Sequence, residues 1–208
     1  MHPNDTSTFL SVLKQHGMDF FKFGNKITPE KGRLLISEPF LQDPNFDRTV
    51  VLLCEHNEEG SFGFILNKPA IVKVGEVMEE LKNFDELIFI GGPVQQDTLH
   101  FIHRSSAIQS GTEVIKNINW GGDFENVLFL ADTKQLEPTQ VRFFLGYSGW
   151  GPGQLEEELA EDAWIVCDFV TEELLFETSP ANIWKKALSN MGGRFSVYAN
   201  YPVDPNLN

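Results

Sequence analysis

From residue 33 onward the apolar positions of this chain fall in short runs separated by turn-forming residues. Residues 34–36, 50–54 and 62–66 are rich in branched and aromatic side chains, and Asp43-Pro44-Asn45 and the 57–60 segment punctuate them. Runs of that length, bounded by Asn, Asp, Gly and Pro, predict β-strands joined by turns. The same reading places strands at 87–90, stopped by Gly91-Gly92-Pro93, and at 99–103, 113–115, 141–145 and 164–170. Elsewhere the spacing is helical. Val74, Val77, Met78 and Leu81 share one face of a helix over 74–81. Gly121-Gly122 opens a helix to about residue 130, with Asp123 placed to cap it. An acidic helix spans 155–162. Ser179 at the N-cap, Pro180 at the first helical position and Gly192-Gly193 past the end delimit another helix, whose apolar face carries Ile183, Trp184, Ala187, Leu188 and Met191. A last strand is expected at 195–198. Strands that cluster early, with helices scattered among them, predict an α+β fold over a doubly wound parallel sheet.

The first 31 residues read as an extension to a domain covering 32–208. Phe9, Leu10, Val12 and Leu13 suggest a short amphipathic helix capped by Asp5 or Thr6, and Phe20, Phe21 and Phe23 follow. These aromatics must cover either the domain's own core or a second subunit, so a homo-oligomer built through the extension is one of two outcomes.

Charge narrows the function classes. The chain has 30 acidic and 16 basic residues, a net charge of -14. Nucleic-acid binding draws most of its affinity from Lys and Arg neutralising phosphates. The basic residues are dispersed, so no direct nucleic-acid contact is expected, nor attraction to an anionic membrane. No apolar run approaches the roughly 20 residues of a membrane helix, and the N-terminus has neither the basic nor the apolar region of a signal peptide. Cys54 and Cys167 lie inside apolar runs and read as buried thiols, which points to the cytoplasm. A 41% hydrophobic content with 18 Phe excludes a disordered chain.

The run from Gly146 to Glu156 concentrates the candidate chemistry. Glycines around Tyr147 and Trp150 suggest a sharp turn packed against something close. Gly146-Tyr147-Ser148-Gly149-Trp150 approaches the Gly-x-Ser-x-Gly nucleophile elbow, but Trp150 fills the position of the last glycine. Ser148 is therefore read as satisfying a local backbone group. On the following helix Gln154 and Glu158 share a face beside the turn, while Glu157 and Glu161 form a solvated acidic face. Of the histidines, His100 and His103 point to opposite faces of a strand and Cys54 and His56 share one. Two such ligands fall short of a zinc set, so no metal is expected. Gly91-Gly92 and Gly121-Gly122 lack the spacing of a phosphate loop and read as structural turns. Asn67 and Lys68, delivered by a strand end, are reasonable binding residues, whereas Arg48 reads as paired with a carboxylate.

Several stretches together resemble the AlgH/YqgE family of bacterial proteins. They are Gly32-Arg33-Leu34-Leu35-Ile36-Ser37-Glu38-Pro39, Asp43-Pro44-Asn45-Phe46-Asp47-Arg48-Thr49-Val50, His56 with Gly60-Ser61-Phe62-Gly63-Phe64-Ile65-Leu66-Asn67-Lys68-Pro69, Gly91-Gly92-Pro93-Val94, and the Gly146 to Glu156 run followed by Glu158 and Trp164. The resemblance implies an α+β domain built on a flattened, barrel-like, mostly antiparallel β core with flanking helices. Some members carry the label of transcriptional regulator; the family supplies no catalytic residue and no cofactor to carry over. The residues and the resemblance together point to a regulatory or binding protein that acts through a protein or small-molecule partner. Its candidate surface is Asn67, Lys68, Tyr147, Trp150, Gln154 and Glu158. The alternative is a hydrolase- or transferase-like enzyme using His56 or a carboxylate.

Overall fold

Continuous buried runs in the central strands, covered on both faces, organise the β structure. The structure, a computed structural model, describes residues 27–201. The expected helix around Phe9 to Leu13, the aromatics Phe20, Phe21 and Phe23, and the oligomer contact assigned to them lie outside the described residues. Ten strands form among the described residues: β1 (Leu34–Ser37), β2 (Val50–Asn57), β3 (Gly60–Ile65), β4 (Pro69–Lys73), β5 (Leu87–Ile90), β6 (Val94–His103), β7 (Thr112–Ile115), β8 (Ile118–Trp120), β9 (Val141–Trp150) and β10 (Trp164–Cys167). They make one sheet in the order β10-β1-β2-β3-β9-β6-β8-β7. All its pairings are antiparallel except that of β5 with β9.

Strand β9 holds the sheet together. Along one edge it pairs with β6. Along the other, its first half pairs with β5 (Ile88 opposite Phe143) and its second half with β3 (Ser61 opposite Trp150). The sheet is not closed, but it curls far enough for its distant parts to meet. The Lys31 ammonium donates to the Glu113 carbonyl at 3.0 Å, and a Cβ on Gly32 would stand 2.8 Å from the Val114 carbonyl.

Among the described residues five α-helical segments flank the strands: α1 (Val74–Val77), α2 (Phe124–Asp132), α3 (Gln154–Ala160), α4 (Pro180–Met191) and α5 (Phe195–Tyr198). The inner face of the curl packs Leu34, Ile36, Leu52, Phe64, Ile102 and Phe144 against Ile183, Trp184, Ala187 and Leu188 of α4. On the outer face, Leu155 of α3 covers Leu35, Val51, Leu53 and Val166. Val127 and Leu130 of α2 cover Ile88, Phe101 and Phe143. Each such fully buried side chain contributes about 1.5–3 kcal/mol. The architecture is the expected α+β.

The local differences have physical causes. Residues 195–198 form helix α5, not a strand. Gly192 and Gly193 turn through positive φ (69° and 55°), and the Phe195 N–H then closes on the Gly192 carbonyl. The expected helix at 74–81 breaks where Met78 goes extended, leaving α1 and a 3-10 turn at Glu79–Leu81. The strand expected at 164–170 stops at Cys167. The Gly146–Trp150 run is not a turn but the second half of β9; the chain turns after it, ahead of Gly153 (φ 76°). Asp123 caps α2 as expected, accepting from the Asn126 N–H at 3.3 Å. Ser179 occupies the N-cap of α4 without a side-chain cap bond and instead accepts from Asn182 Nδ2 at 2.8 Å.

Candidate functional site

Two irregularities at one end of the sheet decide which side chains meet. In the β2–β3 hairpin the register slips between Leu53 and Glu55. Leu52 stands opposite Phe64, yet Glu55 stands opposite Phe62 and His56 opposite Ser61. Directly opposed residues share a face, so this bulge puts Glu55 on the inner face with Phe62 and Phe64. An unbroken strand would have sent it outward. Cys54 packs in the inner core while His56 sits opposite Ser61. The expectation that Cys54 and His56 share a face is therefore overturned by the bulge.

The second irregularity is in β9. Leu145 opposes Leu99, but Tyr147 opposes Val94, and Gly146 between them has φ 66°. A Cβ there would lie 2.6 Å from the Val94 carbonyl, so the close crossing needs glycine. Phe144 belongs to the inner core and Tyr147 packs against that same core, three residues on. Trp150 is thereby delivered to the outer layer with Leu155 and Trp164.

Between these irregularities lies a cleft of about 560 Å³. Its walls are aromatic. Phe62 makes edge-to-face contacts with Trp120 (4.7 Å between centroids) and Tyr147 (6.1 Å), and Tyr147 meets the His100 ring edge-on at 5.9 Å. His100 Nε2 is buried without a hydrogen-bond partner among the described residues, and burial holds this histidine below its ordinary pKa. Glu55, Asn57 and Glu59 form the rim. Asn57 Nδ2 donates to Glu55 Oε1 at 2.7 Å, which orients the carboxylate. Gly149, opposite Phe62, leaves room for the Tyr147 ring; a Cβ there would stand 3.1 Å from Tyr147 Cε2.

The six residues expected to form a surface divide into two groups. Tyr147 and Trp150 border the cleft. Trp150 is only 6% exposed, and its indole N–H donates to Glu158 Oε2 at 2.8 Å. Trp164 donates to that same oxygen at 2.7 Å, and Gln154 Nε2 donates to Oε1 at 2.9 Å. Gln154 Oε1 in turn accepts from the Gly151 N–H at 3.0 Å. Asn67 and Lys68 line a separate hollow of about 390 Å³ with Asn45, Pro93 and Gln96. Asn67 accepts from the Val50 N–H (2.9 Å) and donates to the Arg48 carbonyl (2.8 Å). Lys68 clamps the preceding turn through the Pro44 and Asn45 carbonyls. Burial lowers the Lys68 pKa, with Asp47 and Asp43 opposing.

Ser148 is fully buried in the middle of β9, and its hydroxyl donates to the Gly91 carbonyl at 3.1 Å. It is a satisfied core residue, not an exposed elbow. His56 Nδ1 lies 2.7 Å from Ser61 Oγ, and its Nε2 lies 3.6 Å from Glu156 Oε1. His103 is buried, with Nδ1 donating to the Ser105 carbonyl at 3.1 Å. Among the described residues no three His, Cys, Asp or Glu side chains group as a metal site. Phe62, Trp120, His100, Glu55 and Glu59 were not among the expected site residues, because only the two irregularities bring them to one place.

A family profile described as AlgH-like matches residues 34–196. The chain belongs to the AlgH-like family. Its relatives include a UPF0301 protein of Cytophaga hutchinsonii, 46% identical over 180 residues that cover 86% of this chain and 98% of the relative. A second UPF0301 protein, from Chlorobium limicola, is 43% identical over 185 residues, covering 88% and 97%. The solution structure of the AlgH protein from Pseudomonas aeruginosa superposes with a TM-score of 0.65 at 32% identity, covering 85% of this chain and 97% of that one. A crystal structure of a Corynebacterium diphtheriae protein gives a TM-score of 0.71 at 21% identity over 87% and 97%, a likeness of fold alone. The matched AlgH-like segment contains both irregularities and every wall of the cleft.

Proposed function

We propose that this AlgH-like chain is a non-catalytic binding protein, regulatory in role, that receives a protein or small-molecule partner in the aromatic cleft at the end of β2, β3 and β9. The observation that carries this reading is the cleft itself: half-buried rings held on strands, with a polar rim of Glu55, Asn57 and Glu59. Concave sites with mostly apolar walls and a few placed polar groups are the usual form of ligand pockets. The net charge of -14 argues against phosphate-backbone contact. Among the described residues no helix is long and apolar enough to cross a membrane.

The test is capture from native lysate by the immobilised chain, with mass spectrometry for proteins and small molecules. Tyr147→Ala, which opens the cleft wall while leaving the Trp150–Glu158 bonds in place, is expected to lower capture about tenfold or more. Undiminished capture by a folded Tyr147→Ala variant refutes the assignment. A gel shift at physiological salt is expected to show no binding to random duplex.

One observation favours a second, hydrolytic reading. A serine hydroxyl 2.7 Å from a histidine nitrogen, with a carboxylate near the other nitrogen, is the order of groups in an activated nucleophile. Against it, Ser61 is only 9% exposed. Labelling by a fluorophosphonate that is lost in both Ser61→Ala and His56→Gln would establish this reading; an unlabelled wild-type chain ends it.

A further inference from the structure

The walls of the cleft specify more than a shape. Aromatic faces carry negative charge density and attract cations, most strongly when the site is partly desolvated. Phe62, Trp120 and Tyr147 bring three such rings together. The charged side chains on the rim are both carboxylates, Glu55 and Glu59, and no Lys or Arg lines the cleft. The Glu55 carboxylate is placed there by the bulge and oriented by Asn57. His100 also lines the cleft, and burial holds its pKa below the ordinary histidine value, so it adds no opposing charge near pH 7.

We propose that this cleft selects an organic cation: an alkylated ammonium group seated against Phe62, Trp120 and Tyr147 and neutralised by Glu55 and Glu59. The proposal rests on the reading of the cleft as a ligand site and adds the charge of the ligand. An anion would face two carboxylates without a compensating base. A neutral apolar ligand would be served by the rings but would leave the carboxylates unused. A small, weakly hydrated ammonium satisfies both, and the field of a chain with net charge -14 draws it in.

Choline and its uncharged isostere 3,3-dimethylbutan-1-ol have the same shape and the same hydroxyl, and differ by the charge. Titrations of the full chain are followed by intrinsic fluorescence, in which Trp120 is the half-buried tryptophan; Trp150, Trp164 and Trp184 are buried. Methyl-proton line broadening in NMR provides a second readout. Choline is expected to bind at least about tenfold more tightly than the isostere, and its affinity to fall with added salt. Glu55→Gln with Glu59→Gln, both exposed, is expected to cut that preference by about threefold or more, leaving the part that the rings supply; an unchanged preference overturns the role of the carboxylates. A trimethyl-lysine peptide binding more tightly than choline assigns the ammonium to a protein partner; the reverse assigns it to a free small molecule. Equal binding of choline and isostere overturns the charge selection and leaves the cleft a ligand site. Binding of neither, by fluorescence and by NMR, overturns the ligand-site reading as well.

Discussion

Replacing Glu158 by alanine isolates the contact that fixes the floor of the cleft. One carboxylate oxygen accepts both the Trp150 and the Trp164 indole N–H, at 2.8 and 2.7 Å, and the other accepts from Gln154 at 2.9 Å. The two indoles are 6% and 3% exposed. They meet edge-on at 5.9 Å, and Phe46 packs on both. Glu158→Ala removes the shared acceptor and leaves two indole donors with little access to water. Hydrogen bonds to a charged group contribute about 1.5–3 kcal/mol each. Glu158 is half-buried, so the lower value applies to the two indole bonds, and the exposed Gln154 bond adds about 0.5 kcal/mol. The expected loss is roughly 3.5 kcal/mol. For a chain of this size that lowers the melting temperature by roughly 7–14 °C and the urea midpoint by about 1–2 M. Glu158→Gln retains an acceptor oxygen and is expected to lose about half as much. A double-mutant cycle with Trp164→Phe should return a coupling of at least about 1 kcal/mol. An alanine variant whose urea midpoint stays within about 0.3 M of the parent refutes the assignment.

Other predictions test separate parts of the structure. Gly92→Ala places a methyl group 2.2 Å from the Tyr147 carbonyl; the clash is backbone against side-chain root, so a loss above about 4 kcal/mol is expected, seen as a missing cooperative transition by circular dichroism. Arg142→Met removes a guanidinium that donates to the Leu66 carbonyl at 3.1 Å and lies 4.5 Å over Phe89, with a pKa brought down to about 10 by burial; a loss of about 1–3 kcal/mol is expected by urea denaturation. His100 and His103 both have pKa values lowered by burial. The unfolded chain therefore takes up protons that the folded chain refuses, and stability, complete above the ordinary histidine value near 6.5, falls as pH drops toward the folded values. The urea midpoint should decline between about pH 7 and 5.5, less steeply in His103→Gln, and a flat or rising midpoint contradicts the burial argument. Glu86, raised by burial first and by Asp85, acts in the opposite sense at lower pH.

The sequence disclosed the elements whose periodicity is unbroken. Buried strands such as 34–36 and 50–54 were legible as unbroken apolar runs bounded by turn residues, and the helix begun by Ser179-Pro180 because one apolar face repeats along it. The strand β4 was hidden by Pro69, which is tolerated because the missing N–H falls on a strand paired only with β5. Residues 195–198 misled because an apolar run of four reads equally as strand or helical turn. The Gly146–Trp150 run misled for a different reason. Its glycines allow close backbone crossings inside a strand, as at Gly146 against Val94, and the same composition would serve a tight turn.

The site was hidden by the rule that made the fold readable. Period-two alternation assigns Glu55 to the face opposite Phe64's partners and Tyr147 to the face opposite Phe144. Each assignment fails by one residue, at the register slip after Leu53 and at Gly146. A one-residue slip moves every later side chain to the other face. The two slips act at the same end of adjoining strands, β3 pairing with β2 on one side and β9 on the other. They rotate Glu55 and Tyr147 inward together, and send His56 and Trp150 outward to α3. A regular hairpin packed on a regular β9 would have put Trp150 on the inner face and Glu55 on the outer one. Restoring either register would take the carboxylate or the ring out of the cleft while keeping every strand of the sheet, so the irregularities, and not the strands, are what distinguish an aromatic-walled cleft from a closed core at this end of the molecule.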